Sequence, residues 1–180
     1  TLMKAQTYIE HNHFALLDKP EPEIIDPRDA VVRVTLGSIC TSDLHIKHGS
    51  VPRAVPGITV GHEMVGVVES VGAAVKTVRP GDRVTVNVET FCGECYFCDH
   101  HEPHLCAGSS PEGRMLDGST RLHLDGREIG AMSMLCCMAE YAVVPAISVM
   151  KIDRSIPLDR AALVGCGVMT GVGSVTNTAK

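Results

Sequence analysis

The chain has 180 residues, of which 44% are hydrophobic and 21% are charged, a balance typical of a globular protein with one core rather than a disordered chain. A formal net charge of -5 and the absence of Trp disfavour a nucleic-acid-binding surface, which needs a basic face or stacking rings. We therefore expect no nucleic-acid partner. No apolar run is long enough to cross a bilayer, so we also expect no membrane partner.

Strand patterns dominate the first half of the chain. Runs of β-branched or alternating residues, separated by Pro and Gly, predict strands over 4–10, 30–36, 63–71 and 83–88. Arg79-Pro80-Gly81-Asp82 predicts a tight turn before the last of them, because Pro presets one φ angle and Gly accepts a positive one. The pattern indicates a mainly β core.

The second half is less regular. Residues 107–139 are rich in Gly, Ser and Met and predict a long excursion with turns at 116–119 and 124–127. Strand character returns over 140–144 and 147–152. Pro157 favours a helix through Val164, and a second helix is expected from near Thr170 to Lys180.

Four cysteines lie within a short segment in the pattern C-x-x-C-x-x-C-x7-C. They are Cys92, Cys95, Cys98 and Cys106. Short spacers let a turn aim successive sulfurs at one point, as the tetrahedral ligands of structural zinc require. An iron–sulfur cluster is the main alternative, whereas disulfides are disfavoured because the nearest pairs would close strained rings and no apolar leader precedes the segment. The neighbouring His100, His101 and His104 are expected to be solvated, since four thiols already suffice.

A second metal set is scattered along the chain and consists of Cys40, His62 and Cys166. Three protein ligands leave one position of a zinc ion open, as catalytic sites require. Spacing alone leaves the alternative open, because a histidine after a glycine is often a core or turn residue and a lone cysteine often packs as a small hydrophobe. For Cys136 and Cys137, which match neither set, we expect ordinary packing rather than redox sensing.

Four motifs, in order, resemble those of the zinc-dependent medium-chain alcohol dehydrogenases. Gly61-His62-Glu63-x-x-Gly66, followed by Gly72 and Val75, resembles the zinc signature of that family. The segments 40–45 and 166–171 and the four-cysteine motif resemble its other conserved segments, and 114–129 with 139–144 resemble the longer-loop, liver-type branch. The resemblance covers nearly all of the chain and implies a GroES-like barrel domain, mainly β with short helices.

The resemblance also implies two zinc ions per chain. Cys40, His62 and Cys166 would hold a catalytic zinc, and the four-cysteine set would hold a structural zinc. Asp43 would accept a hydrogen bond from the ligating imidazole and fix its tautomer. Glu63 would stand beside the ligands or approach the metal transiently. The zinc would act as a Lewis acid on an alcohol that passes a hydride to NAD or NADP.

Four further residues match positions of that family. Ser42 and His45 match a proton relay to solvent, with a helix cap and a surface histidine as their alternatives. Thr41 and Thr170 match positions near the cofactor, although Thr170 could simply begin a helix. Many relatives carry a basic residue where Thr41 stands and where it meets the cofactor pyrophosphate, so Thr41 implies a weaker cofactor contact. The residues of this chain do not distinguish NAD from NADP.

The sequence contains no G-x-G-x-x-G after a predicted strand. We therefore expect residues 1–166 to form the GroES-like zinc-containing catalytic domain, with a structural-zinc lobe at about 89–110, and 167–180 to begin the connection to a Rossmann domain outside this chain. This piece alone is expected to be inactive.

The full-length protein is expected to be a cytoplasmic homo-oligomer that acts on a small-molecule alcohol, aldehyde or ketone. Small and flexible residues such as Val88 and Met134 are candidates for lining its pocket. The alternative function is a zinc-stabilised, non-catalytic binding or scaffold module in which Cys40, His62 and Cys166 never meet.

Overall fold

A computed structural model describes residues 1–109, 113–124 and 126–179. The strands are β1 (Leu2–Glu10), β2 (His13–Pro20), β3 (Asp29–Gly37), β4 (Met64–Val71), β5 (Arg83–Val86), β6 (Leu122–Leu124), β7 (Arg127–Ile129), β8 (Tyr141–Pro145) and β9 (Val149–Lys151). Five of them form an antiparallel sheet in the order β8-β3-β4-β5-β9, while β1 pairs with β2 and β6 with β7. The prediction of a mainly β fold is confirmed.

Strand β2 is the longest element that the sequence pattern did not predict. It pairs with β1 from Leu2 opposite Pro20 to Tyr8 opposite Phe14, across a tight turn in which Asn12 has a φ of 63°. Most of β2 is exposed or half-buried, so its alternation of apolar and polar residues is weak. Pairing with β1, rather than propensity, therefore determines this strand.

The predicted turn between β4 and β5 is confirmed. The N–H of Asp82 donates to the carbonyl of Arg79 at 3.1 Å, and Gly81 has a φ of 90°. In the excursion, Gly118 N–H donates to the Met115 carbonyl at 2.8 Å and closes the first predicted turn. The second predicted turn includes Asp125, which lies outside the described residues.

The helices are short. They are α1 (Thr41–Lys47), α2 (Tyr96–Asp99), α3 (Leu158–Ala161) and α4 (Met169–Gly173), with 3-10 turns at Pro103–Leu105, Met132–Met134 and Ala146–Ser148 and π-helical turns at Val164–Val168 and Ser174–Thr178. The expected interruption between Val164 and Thr170 was wrong, because Leu163, Val168 and Met169 keep helical dihedral angles. Helical backbone therefore runs through Cys166.

The main core lies along the five-stranded sheet and contains Val32, Met64, Val84, Val144 and Cys137 among its buried residues. A second cluster, beneath the β1–β2 hairpin, contains Cys136. The burial of both cysteines agrees with ordinary packing, and burial raises the pKa of Cys136 to about 12. Among the described residues, no helix has the length and apolarity that a membrane span requires.

Candidate metal centres

The sulfurs of Cys92, Cys95, Cys98 and Cys106 lie within 4.8 Å of one another. Four of the separations are 4.0 Å for Cys92–Cys98, 3.6 Å for Cys95–Cys98, 3.9 Å for Cys95–Cys106 and 3.5 Å for Cys92–Cys106. Sulfurs bound to one tetrahedral zinc at about 2.3 Å stand roughly 3.8 Å apart. The four thiols therefore fit a closed zinc site.

Backbone N–H groups surround these sulfurs. Cys106 Sγ accepts from the N–H of Cys92 at 3.2 Å and from that of Gly108 at 3.3 Å. Backbone hydrogen bonds from Cys98 and Ala107 lower the pKa of Cys95 to about 6, whereas burial raises the pKa of Cys98 to about 11. Thiols so close together cannot all ionise without a cation, so the donor set fits a zinc ion.

The three neighbouring histidines are exposed, and none belongs to this group. His100 stacks on Tyr96 with ring centroids 4.0 Å apart, and its Nδ1 lies 2.7 Å from the Tyr96 carbonyl oxygen. This arrangement agrees with the expectation that they are solvated loop residues.

The second group joins residues that are far apart in sequence. The donor atoms of Cys40, His62, Glu63 and Cys166 all lie within 4.8 Å of one another. His62 and Glu63 are buried, and the Glu63 carboxylate also accepts from the Gly167 N–H at 3.2 Å. The three ligands predicted from the sequence therefore meet, and Glu63 adds a carboxylate to them.

Two glycines permit this convergence. Gly61 has a φ of 91°, and a Cβ there would lie 2.5 Å from Met138 Cγ. A Cβ at Gly165 would overlap the Val86 carbonyl oxygen of β5, and Val88 N–H donates to the Gly165 carbonyl at 3.1 Å. Glycine before each ligand therefore lets the backbone carry His62 and Cys166 close to the sheet.

Asp43 connects two of the ligand segments. Its buried carboxylate accepts from the Cys40 N–H at 2.8 Å and from the Gly61 N–H at 3.2 Å. Burial raises the pKa of the Asp43 carboxyl, and these N–H groups oppose that shift. Its Oδ1 lies 3.9 Å from His62 Nδ1, which is too long for the expected hydrogen bond.

The donor chemistry fits a bound cation. His62 Nδ1 is buried without a hydrogen-bond partner among the described residues. Burial and the neighbouring Cys40 thiol raise the pKa of Cys166 to about 12. Two half-buried thiols close to two buried carboxylates and a buried imidazole favour a divalent ion that would offset their negative charge.

A cavity of about 500 Å³ is lined by Ser42, His45, Val88 and Met134, together with residues such as Ile46 and Ile58. Ser42 Oγ lies 3.8 Å from Cys40 Sγ, so one residue of the cavity wall contacts a member of the second donor group. Thr41 and Thr170 are exposed, the first at the start of α1 and the second in α4.

Sequence reasoning did not identify three features of this site. They are the bridging contacts of Asp43, the close approach of Gly165 to β5 and the contact of Met132 Sδ with the Gly61 N–H at 3.3 Å. The glycine was detectable as Gly165-Cys166-Gly167 beside a candidate ligand. The methionine carried no signal, because methionines in an irregular segment are usually core filler.

Comparisons with known proteins agree with this geometry. A family model described as alcohol dehydrogenase GroES-like domain matches residues 26–154. "Putative alcohol dehydrogenase D" of Mycobacterium tuberculosis is 44% identical over 153 residues, which are 84% of this chain and 41% of that protein.

Solved structures extend the likeness. Alcohol dehydrogenase TADH from Thermus sp. ATN1 is 32% identical with a TM-score of 0.77, and the match covers 96% of this chain and 46% of that one. An alcohol dehydrogenase zinc-binding domain protein from Burkholderia ambifaria is 27% identical with a TM-score of 0.84, covering 99% and 49%. The chain thus spans less than half the length of these relatives. Its fold, its two donor groups and these matches place it in the alcohol dehydrogenase family, as a GroES-like domain.

Proposed function

We propose that this chain is the catalytic domain of a zinc-dependent alcohol dehydrogenase that interconverts an alcohol and an aldehyde or ketone by hydride transfer to NAD or NADP. The observation that supports it is the meeting of Cys40, His62 and Cys166 within 4.8 Å. The cavity beside them is large enough for a small alcohol. The alternative function, a zinc-stabilised binding or scaffold module without catalysis, gives no reason for these three residues to meet.

In this proposal Cys40, His62 and Cys166 hold a catalytic zinc, and Cys92, Cys95, Cys98 and Cys106 hold a structural zinc. The catalytic zinc supplies Lewis-acid chemistry that lowers the pKa of the substrate hydroxyl. Asp43 holds the two ligand segments together through the N–H groups of Cys40 and Gly61. Glu63 supplies a further carboxylate at the edge of the donor group.

Ser42 and His45 are the proposed route by which the proton of the alcohol leaves. Both line the cavity, and they lie three residues apart on α1, which places them on neighbouring positions of one helix face. Ser42 Oγ takes the proton from the substrate hydroxyl and passes its own proton to His45. His45 is exposed and releases it to solvent.

The cofactor supplies a hydride acceptor, and we assign its main binding surface to a Rossmann domain outside these residues. Thr41 and Thr170 contribute contacts from this side. In this proposal residues 1–166 form the catalytic domain, and residues 167–180 begin the connection to the Rossmann domain. We further propose that the full-length protein is a homo-oligomer. We place it in the cytoplasm, because all eight cysteines are free of disulfides and zinc ligation needs reduced thiols.

Zinc counting by mass spectrometry under native conditions tests this proposal. The chain should hold two zinc ions. Cys166→Ser should hold one zinc, and Cys95→Ser should lose the other zinc together with stability. One zinc in the unmodified chain would support the non-catalytic module instead. Cys136→Ser serves as the control for the zinc count, because that thiol belongs to neither donor group.

A further inference from the structure

The backbone at Gly61 is held from several parts of the chain. Its N–H is shared between Asp43 Oδ1 at 3.2 Å and Met132 Sδ at 3.3 Å. Its carbonyl accepts from the Cys137 N–H at 2.9 Å. Because Gly61 directly precedes His62, these contacts determine where the imidazole can lie.

Met132 also borders the cavity. It is half-buried at the start of the turn Met132–Met134, and it lines the cavity together with Ser42 and His45. One side chain therefore contacts both the space proposed for the substrate and the segment that carries a metal donor.

The turn that carries Met132 has an uncommon backbone. Ser133, Met134 and Cys136 have φ angles of 52°, 60° and 52°, in the left-handed region that non-glycine residues seldom adopt. Such conformations persist only where the surrounding structure maintains them. Here the Thr59 carbonyl lies 3.4 Å from both Met132 N and Cys136 Sγ. The turn is therefore anchored to the segment that leads into Gly61.

We propose that Met132 is a positioning residue, whose thioether connects the wall of the cavity to Gly61 and helps to set His62 for metal binding. This inference rests on the proposed function only in taking His62 as a zinc ligand. A thioether sulfur is a weak acceptor. An occupant that moves the Met132 side chain would therefore alter the support of His62 without breaking the stronger Asp43 contact.

Three variants of the chain test this role. Met132→Leu keeps an apolar side chain of similar size but removes the acceptor, Met132→Gln restores an acceptor, and Met134→Leu is the control on the same turn and cavity wall. The readouts are hydrogen exchange of the Gly61 amide, with the Val32 amide of β3 as the reference, and zinc affinity measured by competition with a chelator.

We expect Met132→Leu to speed exchange of the Gly61 amide and to weaken zinc binding at the site that contains His62, each by roughly two- to tenfold. The exchange of the Val32 amide should be unchanged. Met132→Gln should restore both values, and Met134→Leu should change neither. Met132→Ile provides a second apolar variant if the leucine variant does not fold.

Unchanged Gly61 exchange and unchanged zinc affinity in Met132→Leu would overturn the inference, as would an equal effect of Met134→Leu. The proposed function fails separately, if the unmodified chain holds zinc only at the four-cysteine set. In that case, exchange at Gly61 still decides whether Met132 supports this backbone.

Discussion

At the scale of single residues, Asp43 does more than its sequence motif indicates. The motif placed it near a metal ligand. In the structure its carboxylate accepts the N–H of Cys40, three residues before it, and the N–H of Gly61, 18 residues after it. The carboxylate is buried, so neither N–H has water as a substitute partner. Loss of one acceptor should therefore loosen the approach of Cys40 to His62.

Asp43→Asn should weaken zinc binding at the three-ligand site by about tenfold, because the amide retains the shape of the side chain but only one acceptor oxygen. Competition with a chelator measures this. Asp82→Asn is the matched control, since Asp82 also accepts a backbone N–H, from Arg79 at 2.9 Å, but in the turn before β5. Equal zinc affinities for both variants and the unmodified chain would contradict the role of Asp43.

The residues of the two candidate metal sites could be predicted from sequence, but their supporting contacts could not. Local spacing brings Cys92, Cys95 and Cys98 together within one turn, so the pattern alone indicates their chemistry. Cys40, His62 and Cys166 required a family resemblance, because nothing local forces distant segments to meet. The Met132 contact depends on a strained turn that no periodicity signals.

At the scale of elements, the close approach of the helical segment after Pro157 to β5 depends on a glycine. Gly165 stands where any side chain would overlap the Val86 carbonyl of β5, whereas a Cβ at Gly171 would meet nothing within 4 Å. The expected break in this helix was wrong because Val164–Val168 turns continuously through the ligand position. Periodicity could not show this, since the segment is short and rich in glycine.

Gly165→Ala should lower the free energy of unfolding by roughly 3 kcal/mol, because the methyl group forces the backbone away from β5. Gly171→Ala should instead raise it by up to about 1 kcal/mol, because alanine favours an exposed helix position. Urea unfolding of the two variants measures both changes. Similar stabilities would show that the close approach at Gly165 is not required.

The excursion is attached to β3 by a buried ion pair. Arg121 Nε donates to Asp29 Oδ2 at 2.7 Å, and its Nη2 donates to Asp117 Oδ2 at 3.0 Å. Burial opposes ionisation of Asp117, but hydrogen bonds from Arg121 and Ser119 prevail and lower its pKa from 3.8 to about 2. At Asp117, the unfolded chain therefore binds more protons than the folded chain between pH 4 and pH 2.

Asp117 should accordingly stabilise the fold above about pH 4, by about 1 kcal/mol because the exposed carboxylate is screened by solvent, and this contribution should disappear as the pH falls toward about 2. The difference in unfolding free energy between the unmodified chain and Asp117→Asn should narrow over that interval. Glu23→Gln, at an exposed position, should show a constant difference. A constant difference for Asp117→Asn as well would refute the assignment.

At the scale of the whole molecule, the five-stranded sheet was predictable, whereas strand β2 and the hairpin of the excursion were not. The strands of the five-stranded sheet alternate or carry β-branched residues, so their pattern indicates burial directly. Strand β2 is half-exposed and depends on its partner, and the excursion carries its own small hairpin. Pairing between strands, rather than the local sequence pattern, therefore determines that these segments form strands.

Nicotinamide binding gives a prediction at this scale. In the proposed function the chain supplies only contacts such as Thr41 and Thr170, so NADH and NADPH should bind it weakly, with dissociation constants no tighter than about 1 mM, near 4 kcal/mol of binding free energy. Fluorescence titration of the zinc-loaded chain measures this. Micromolar binding would place the cofactor site within these residues.

The two donor groups differ in how much chain each one closes. The four-cysteine group spans positions 92 to 106, whereas the second group spans positions 40 to 166 and crosses most of the fold. Closing a short loop costs less entropy and takes less time than assembling distant segments. In the proposed function the short group can therefore take up zinc early in folding, while the second forms only after the sheet and the last helices have assembled. Zinc occupancy of the second group would then report completed folding, and kinetic trapping of an incompletely folded chain would leave it with one ion.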